Sequence, residues 1–251
     1  MSCDDSAFRL GEVGGGGPAL LCLHGLTGTP YEVRPPEVLH TEHGFACMGP
    51  RLPGHCESPE ALYRISRRDW IDCVVGAYDE LHKTHEQVFV LGLSLGGVLA
   101  LALAQRRSVD GLLLMGAPID LGPVYRRLIP PLSRLVRSVH RTPGIVDREA
   151  RERHPGYRRM PLGAVVELMR LQAEVEAKLS EVACPSRLLY SRADRTVRVG
   201  DAIRIASAVA GDSRIEYLER SGHVMPVDLE RDSVQAWILR NLLELAEREE
   251  R

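Results

Sequence analysis

Two hydrophobic rhythms share this chain. Short apolar runs bounded by glycine or proline predict strands over residues 8–13, 19–23, 45–48, 88–93, 111–115, 186–191 and 214–218. Between them, apolar residues recur every three or four positions and predict helices over 67–83, 95–107, 162–182, 201–209 and 229–247. The clearest helix follows Ser66, a good N-cap, and carries Trp70, Ile71, Val74, Val75, Tyr78 and Leu81 on one face. Such alternation predicts an α/β fold: a mostly parallel sheet of about seven strands flanked by helices, with functional loops at the carboxyl ends of the strands. The glycine run 14–17 reads as a hairpin turn between the first two strands.

Residues 119–160 break the alternation. They carry no strand signal, yet Leu121, Val124, Tyr125, Leu128, Leu132, Leu135, Val136 and Val139 keep a helical spacing. Pro130 and Pro131 interrupt that spacing and predict two short helices. An excursion of this length reads as an inserted cap on a core formed by residues 1–118 and 161–251. It holds ten arginines against Asp120, Asp147, Glu149 and Glu152, a local net charge of +6 that leaves −8 on the rest of the chain.

The whole chain of 251 residues has a net charge of −2, so no nucleic-acid partner is expected. Its only lysines, Lys83 and Lys178, do not follow glycine, which excludes a GK[ST] phosphate loop. The six cysteines (Cys3, Cys22, Cys47, Cys56, Cys73 and Cys184) form no CxxC pair and read as reduced, mostly buried thiols of a cytoplasmic protein. The acidic start lacks an apolar signal segment, and the longest apolar stretch, Leu95–Ala104, is about half a membrane span, so no stable membrane insertion is expected.

The strongest chemical signal is Gly92-Leu93-Ser94-Leu95-Gly96-Gly97, after a predicted strand and before a predicted helix. A GxSxG turn this tight strains its serine, requires small neighbours, and presents the hydroxyl beside the positive end of the helix. A serine nucleophile needs a base, and the base needs an orienting acid. Downstream, one predicted strand runs into a loop with Asp194, and the next into a loop with Ser221-Gly222-His223. That order of serine, acid and histidine makes Ser94, Asp194 and His223 the candidate triad, with Asp120 the competing acid. Backbone N–H groups of Leu26 and Leu95 are the candidate oxyanion donors. His24 and His55 read as structural histidines at loop turns. His40 with His43, and His82 with His85, are spaced to seat a metal but lack an HExxH pattern and read as surface residues.

Taken together, His24-Gly25-Leu26-Thr27-Gly28, Pro53-Gly54-His55, the Gly92–Gly97 turn, the Asp194 loop and Ser221-Gly222-His223-Val224 resemble the α/β-hydrolase superfamily, and within it the bacterial carboxylesterase and monoacylglycerol-lipase branch. The resemblance implies a small helical cap and the same roles for Ser94, Asp194, His223, Leu26 and Leu95. It departs at Cys56, where the family usually has glycine, and in its arginine-rich cap. The expected activity is hydrolysis of short- to medium-chain carboxylic esters, monoacylglycerols included, through an acyl-Ser94 intermediate, with a small-molecule ester as partner and no metal or organic cofactor. Thioester or carbon–carbon bond hydrolysis, and a slow-turnover ligand receptor, share the same triad. For the cap, the favoured reading has Leu128, Leu132, Leu135 and Val136 lining an acyl pocket. The alternative lays them on an anionic lipid surface.

Overall fold

The computed structural model describes residues 6–11 and 16–249. Its main sheet has seven strands: β1 (Phe8–Leu10), β2 (Ala19–Leu23), β3 (Ala46–Gly49), β4 (Val88–Leu93), β5 (Gly111–Met115), β8 (Ser186–Ser191) and β9 (Ser213–Leu218), in the order β1-β3-β2-β4-β5-β8-β9. All neighbours are parallel except β1, which runs antiparallel to β3 at the edge. The hairpin expected between the first two strands therefore does not form. β3 lies between β1 and β2, and residues 12–15 of the turn fall outside the described residues.

Both faces of the sheet are buried, as near-continuous apolar strands require. Along β2 and β4, Leu21, Leu23 and Val90 join one core, shared with α3 (Arg67–His82), α4 (Leu95–Ala104), α7 (Leu162–Glu176) and α8 (Val199–Ala208). Leu20, Cys22, Phe89 and Leu91 join the other, with α1 (Val38–Thr41) and α9 (Arg231–Glu249). Ser66 closes α3 with a capping box, its Oγ accepting the Asp69 N–H while Asp69 Oδ2 accepts the Ser66 N–H at 2.8 Å. The six-residue α2 (Pro59–Arg64) and the one-turn α1 were not legible as periodic stretches, because they are too short to show a period.

Between β5 and α7 the chain forms α5 (Pro123–Leu135), β6 (Ser138–His140), α6 (Arg148–Arg153) and β7 (Arg159–Pro161). Two expectations fail here. α5 is one helix with Pro130 and Pro131 inside it. The carbonyls these prolines leave unbonded belong to Arg126 and Arg127, both exposed, so water can replace the missing partners. The segment is also not purely helical, since β6 and β7 pair antiparallel with Val139 opposite Met160. Strands of three residues are too short to show an alternation.

Candidate active site

Ser94 lies where the central strand β4 turns into α4, with φ 54° and ψ −116°. A side chain at Gly92 would collide with the Gly96 carbonyl, and one at Gly96 with the Leu23 carbonyl of the neighbouring strand. The glycines of the turn are therefore the condition for bringing α4 onto the sheet, and the serine bears the strain. The Ser94 N–H is held by the Met115 carbonyl at 2.9 Å, and Leu95 opens the first turn of α4.

Asp194 and His223 follow β8 and β9 at the same sheet edge. His223 Nδ1 donates to Asp194 Oδ2 at 2.7 Å, with both side chains almost wholly buried. The other carboxylate oxygen, Oδ1, accepts the Thr196 and Val197 amides at 2.6 and 3.1 Å. Burial pushes the Asp194 carboxyl up, but the imidazole and the two amides outweigh it and hold the group below its ordinary value. Asp120 is elsewhere: it accepts the Gly122 amide and faces Arg126 and Arg204.

The loop after β2 is held from beneath by a buried cluster that sequence reading missed. Glu32, 2 % exposed, accepts the Gly25 amide at 3.2 Å through Oε2 and faces His154 Nε2 at 2.7 Å through Oε1. His154 Nδ1 accepts the Gly156 amide, so the ring proton lies on Nε2 and is donated to Glu32. Burial raises the Glu32 carboxyl, and His154, His24 and Arg141 together bring it below its ordinary value. Arg141 also bonds the Thr27 hydroxyl, and the Tyr157 amide donates to the Thr27 carbonyl at 2.9 Å, with Thr27 at φ 66°. No sequence signal marked them: Glu32, His154 and Arg141 belong to no motif, and only the fold brings them together. Among the described residues, neither the Leu26 nor the Leu95 amide has a protein acceptor.

Other histidines are placed differently. His24 accepts the Leu52 amide at 3.2 Å through Nε2 and bonds the Gly25 carbonyl through Nδ1, and burial keeps its ring below its ordinary pKa. His55 packs edge-on against His24 with centroids 4.7 Å apart. His85 is not a surface residue: it is buried, with Nδ1 2.7 Å from the Gly17 carbonyl. Cys56 adopts φ 57°, so the backbone a glycine would favour is kept with a side chain in its place. Of the cysteines expected to be mostly buried, Cys22 and Cys47 are, while Cys56, Cys73 and Cys184 are half-buried and Cys3 lies outside the described residues.

Ser94 and His223 line one cavity of about 110 Å³ with Leu26, Leu121, Met160 and Leu168. Wider cavities exist, one of about 620 Å³ around Gln105 and Lys178, but none of the candidate chemistry faces that one. Leu128, Leu132, Leu135 and Val136 do not line the cavity at Ser94. They are exposed, Leu135 by 86 %. The correction has a simple cause. α5 touches α7 through its other side, around Ile129 and the buried Ser133, and turns the apolar stripe to solvent. The cavity wall comes instead from Leu121 before α5, Met160 in β7, and Val165 and Leu168 in α7.

A family model described as the alpha/beta hydrolase family matches residues 20–235. A thermostable monoacylglycerol lipase of Bacillus sp. (strain H-257) is 28% identical over 222 residues, covering 86% of each chain. A carboxylesterase of Bacillus subtilis (strain 168) is 29% identical over 225 residues, covering 88% of this chain and 90% of its own. Among solved structures, a metagenome-derived lipolytic enzyme superimposes with a TM-score of 0.79 at 22% identity over 97% of this chain and 98% of its own.

Proposed function

Since the chain belongs to the alpha/beta hydrolase family, we propose that it is a serine carboxylesterase acting on short- to medium-chain carboxylic esters, monoacylglycerols included. The observation that carries this reading is the 2.7 Å pair of His223 with Asp194, with His223 sharing one cavity with the strained Ser94. The esterase and lipase relatives support the same class.

In the proposed reaction Ser94 Oγ attacks the ester carbonyl and gives its proton to His223 Nε2. Asp194 keeps the other ring proton on Nδ1 and stabilises the imidazolium. Charge on the carbonyl oxygen is met by the Leu26 and Leu95 N–H groups, the second at the positive end of α4. The carbon–oxygen bond then breaks as His223 protonates the departing alcohol. Water, deprotonated by the same ring, releases the acid from acyl-Ser94. No step in this sequence calls on a metal or organic cofactor. Residues 119–160 act as the cap, and Leu121, Met160, Val165 and Leu168 replace the α5 leucines as the acyl contacts. The small cavity favours the short end of the chain-length range.

The test is turnover of p-nitrophenyl esters from acetate to octanoate, with acyl thioesters run beside them. Ser94→Ala is expected to lose several orders of magnitude in turnover while melting like the parent. A serine-reactive phosphonate should label Ser94, and chelators should change nothing. Full turnover by the variant, or labelling of another residue, overturns the assignment. Faster thioester than oxyester turnover redirects the substrate class.

A further inference from the structure

The outer face of α5 is an unusual surface. Of eleven large hydrophobic side chains exposed among the described residues, eight lie between Val124 and Val146. On α5, Val124, Leu128 and Leu135 are 63 %, 56 % and 86 % exposed and recur at helical spacing, so they form one stripe pointing away from α7. A monomer that exposes a contiguous apolar patch on an amphipathic helix has something to dock there.

The charges beside the stripe identify the occupant. Arg126 faces Asp120, Arg148 faces Glu152 and Arg153 faces Glu149. Arg127, Arg134 and Arg137 are exposed and have no carboxylate partner among the described residues. We propose that this face of α5 docks the protein on an anionic lipid surface, with the leucines entering the acyl boundary and the three guanidiniums meeting lipid phosphates. A second copy of the chain fits the same face poorly, because it would gather six unpaired guanidiniums in one apolar interface. Lipid supplies both halves of the match, apolar chains for Leu128 and Leu135 and anionic headgroups for the long basic side chains that flank them. The stripe also lies near the chemistry: α5 begins two residues after Leu121, which lines the Ser94 cavity. Docking is independent of the esterase reading, because its readout is binding.

The experiment is co-sedimentation of the whole protein with vesicles of phosphatidylcholine alone and of phosphatidylcholine with phosphatidylglycerol, across a salt series. Binding is expected on the anionic vesicles, and it should fade with salt, since such contacts are screened over roughly 10 Å at 0.1 M. Arg127→Glu and Arg134→Glu should each lower the partition coefficient by at least about fivefold. Leu135→Asp should lower binding to the anionic vesicles as well. All three side chains are exposed, so melting temperature and soluble-ester turnover should stay at the parent's values. No binding to anionic vesicles, binding that the arginine variants leave unchanged, or a dimer that Leu135→Asp dissociates would each overturn the proposal.

Discussion

On its inward side, the segment between β5 and α7 is stitched to the rest of the chain. His154 holds Glu32, Arg141 holds Thr27, and the Tyr157 hydroxyl donates to the Gly54 carbonyl at 3.1 Å. Farther along, Asp228 accepts the Val146 and Asp147 amides as well as the Gly222 amide, tying the segment to the loop that carries His223. On its outward side, α5 shows leucines and unpaired arginines to water. Residue type does not distinguish the two sides, since basic residues stand on both, Arg141 and His154 inward and Arg127 and Arg134 outward. What differs is the partner. Inward arginines and histidines meet acceptors fixed by other elements, and outward ones have a surface still to meet. An amphipathic stripe in a sequence reports that a face exists and leaves open what covers it.

Four measurements can break or sharpen this contrast, beginning with the largest effect. Asp194→Asn should lower turnover by up to about 10⁴, because the amide favours the wrong imidazole tautomer and cannot stabilise the imidazolium. Asp120→Asn, beside α5 on the outward side, should change turnover little. A crippling Asp120 variant would move the acid to the wrong strand and end the contrast there.

Next comes packing. Leu168→Ala, from a buried side chain at the Ser94 cavity, should cost about 2–5 kcal/mol of stability and shift the chain-length profile. Leu135→Ala should stay within about 0.5 kcal/mol and leave the profile unchanged. Denaturant melts and a p-nitrophenyl ester series read both, and equal effects would place the stripe back in the pocket.

The inward stitches should act on rate more than on affinity. His154→Ala leaves the Glu32 carboxylate buried without its donor and frees the loop that carries the Leu26 amide. Turnover is expected to fall by about 10–100-fold with KM little changed, less than the roughly 10²–10³ for outright loss of an oxyanion donor, because the amide is loosened and not removed. His154→Gln keeps an N–H for Glu32 and should recover part of the loss. A fall confined to stability, with no recovery by Gln, would make the cluster mere packing.

The smallest effect is a pH dependence. Asp201, at the start of α8, accepts the Ile119 amide and is pushed up to about 6, chiefly by burial, with a contribution from Asp120. An acid whose folded pKa lies above its unfolded value of about 3.9 destabilises the fold once ionised. Its cost is absent below pH 4, grows between about pH 4 and 6, and is constant above. A rise of that size sets an upper bound of about 3 kcal/mol, which solvent screening beside Arg198 and Arg204 cuts to about 1. Asp201→Asn should therefore gain about 1 kcal/mol at pH 7 and nothing below pH 4. A gain at both values would assign the effect to something other than charge.

Legibility in the sequence followed the range of the signal. β2, β4, β5 and β8 were readable because apolar runs of five or six residues buried on both faces have one reading, and the Gly92–Gly97 turn because strain demands small residues at fixed positions. β6 and β7 were not, being three residues each, too short to show an alternation. α5 was misread as two helices because a proline penalty assumes no water at the freed carbonyls. Its stripe was misassigned because periodicity carries no direction. Glu32 and His154 were invisible for a different reason: neither belongs to a motif, and their relation exists only in three dimensions.

That relation bears on how the molecule is made. Glu32 and His154 are 122 residues apart, so a chain leaving the ribosome amino end first holds the carboxylate long before its partner exists. The loop that would carry the Leu26 amide emerges among the earliest segments, yet it stays unclamped until the chain has passed its midpoint and reached residue 154. Closing so long a loop is slow compared with local helix formation. In a nascent chain that stops short of residue 154, Glu32 has no inward histidine, and a carboxyl buried there would take up a proton instead. Synthesis thus has a built-in order: β1 to β5 emerge first, the clamp on the Leu26 loop becomes available after residue 154, and β8, β9 and His223 complete the sheet and its reactive edge near the end.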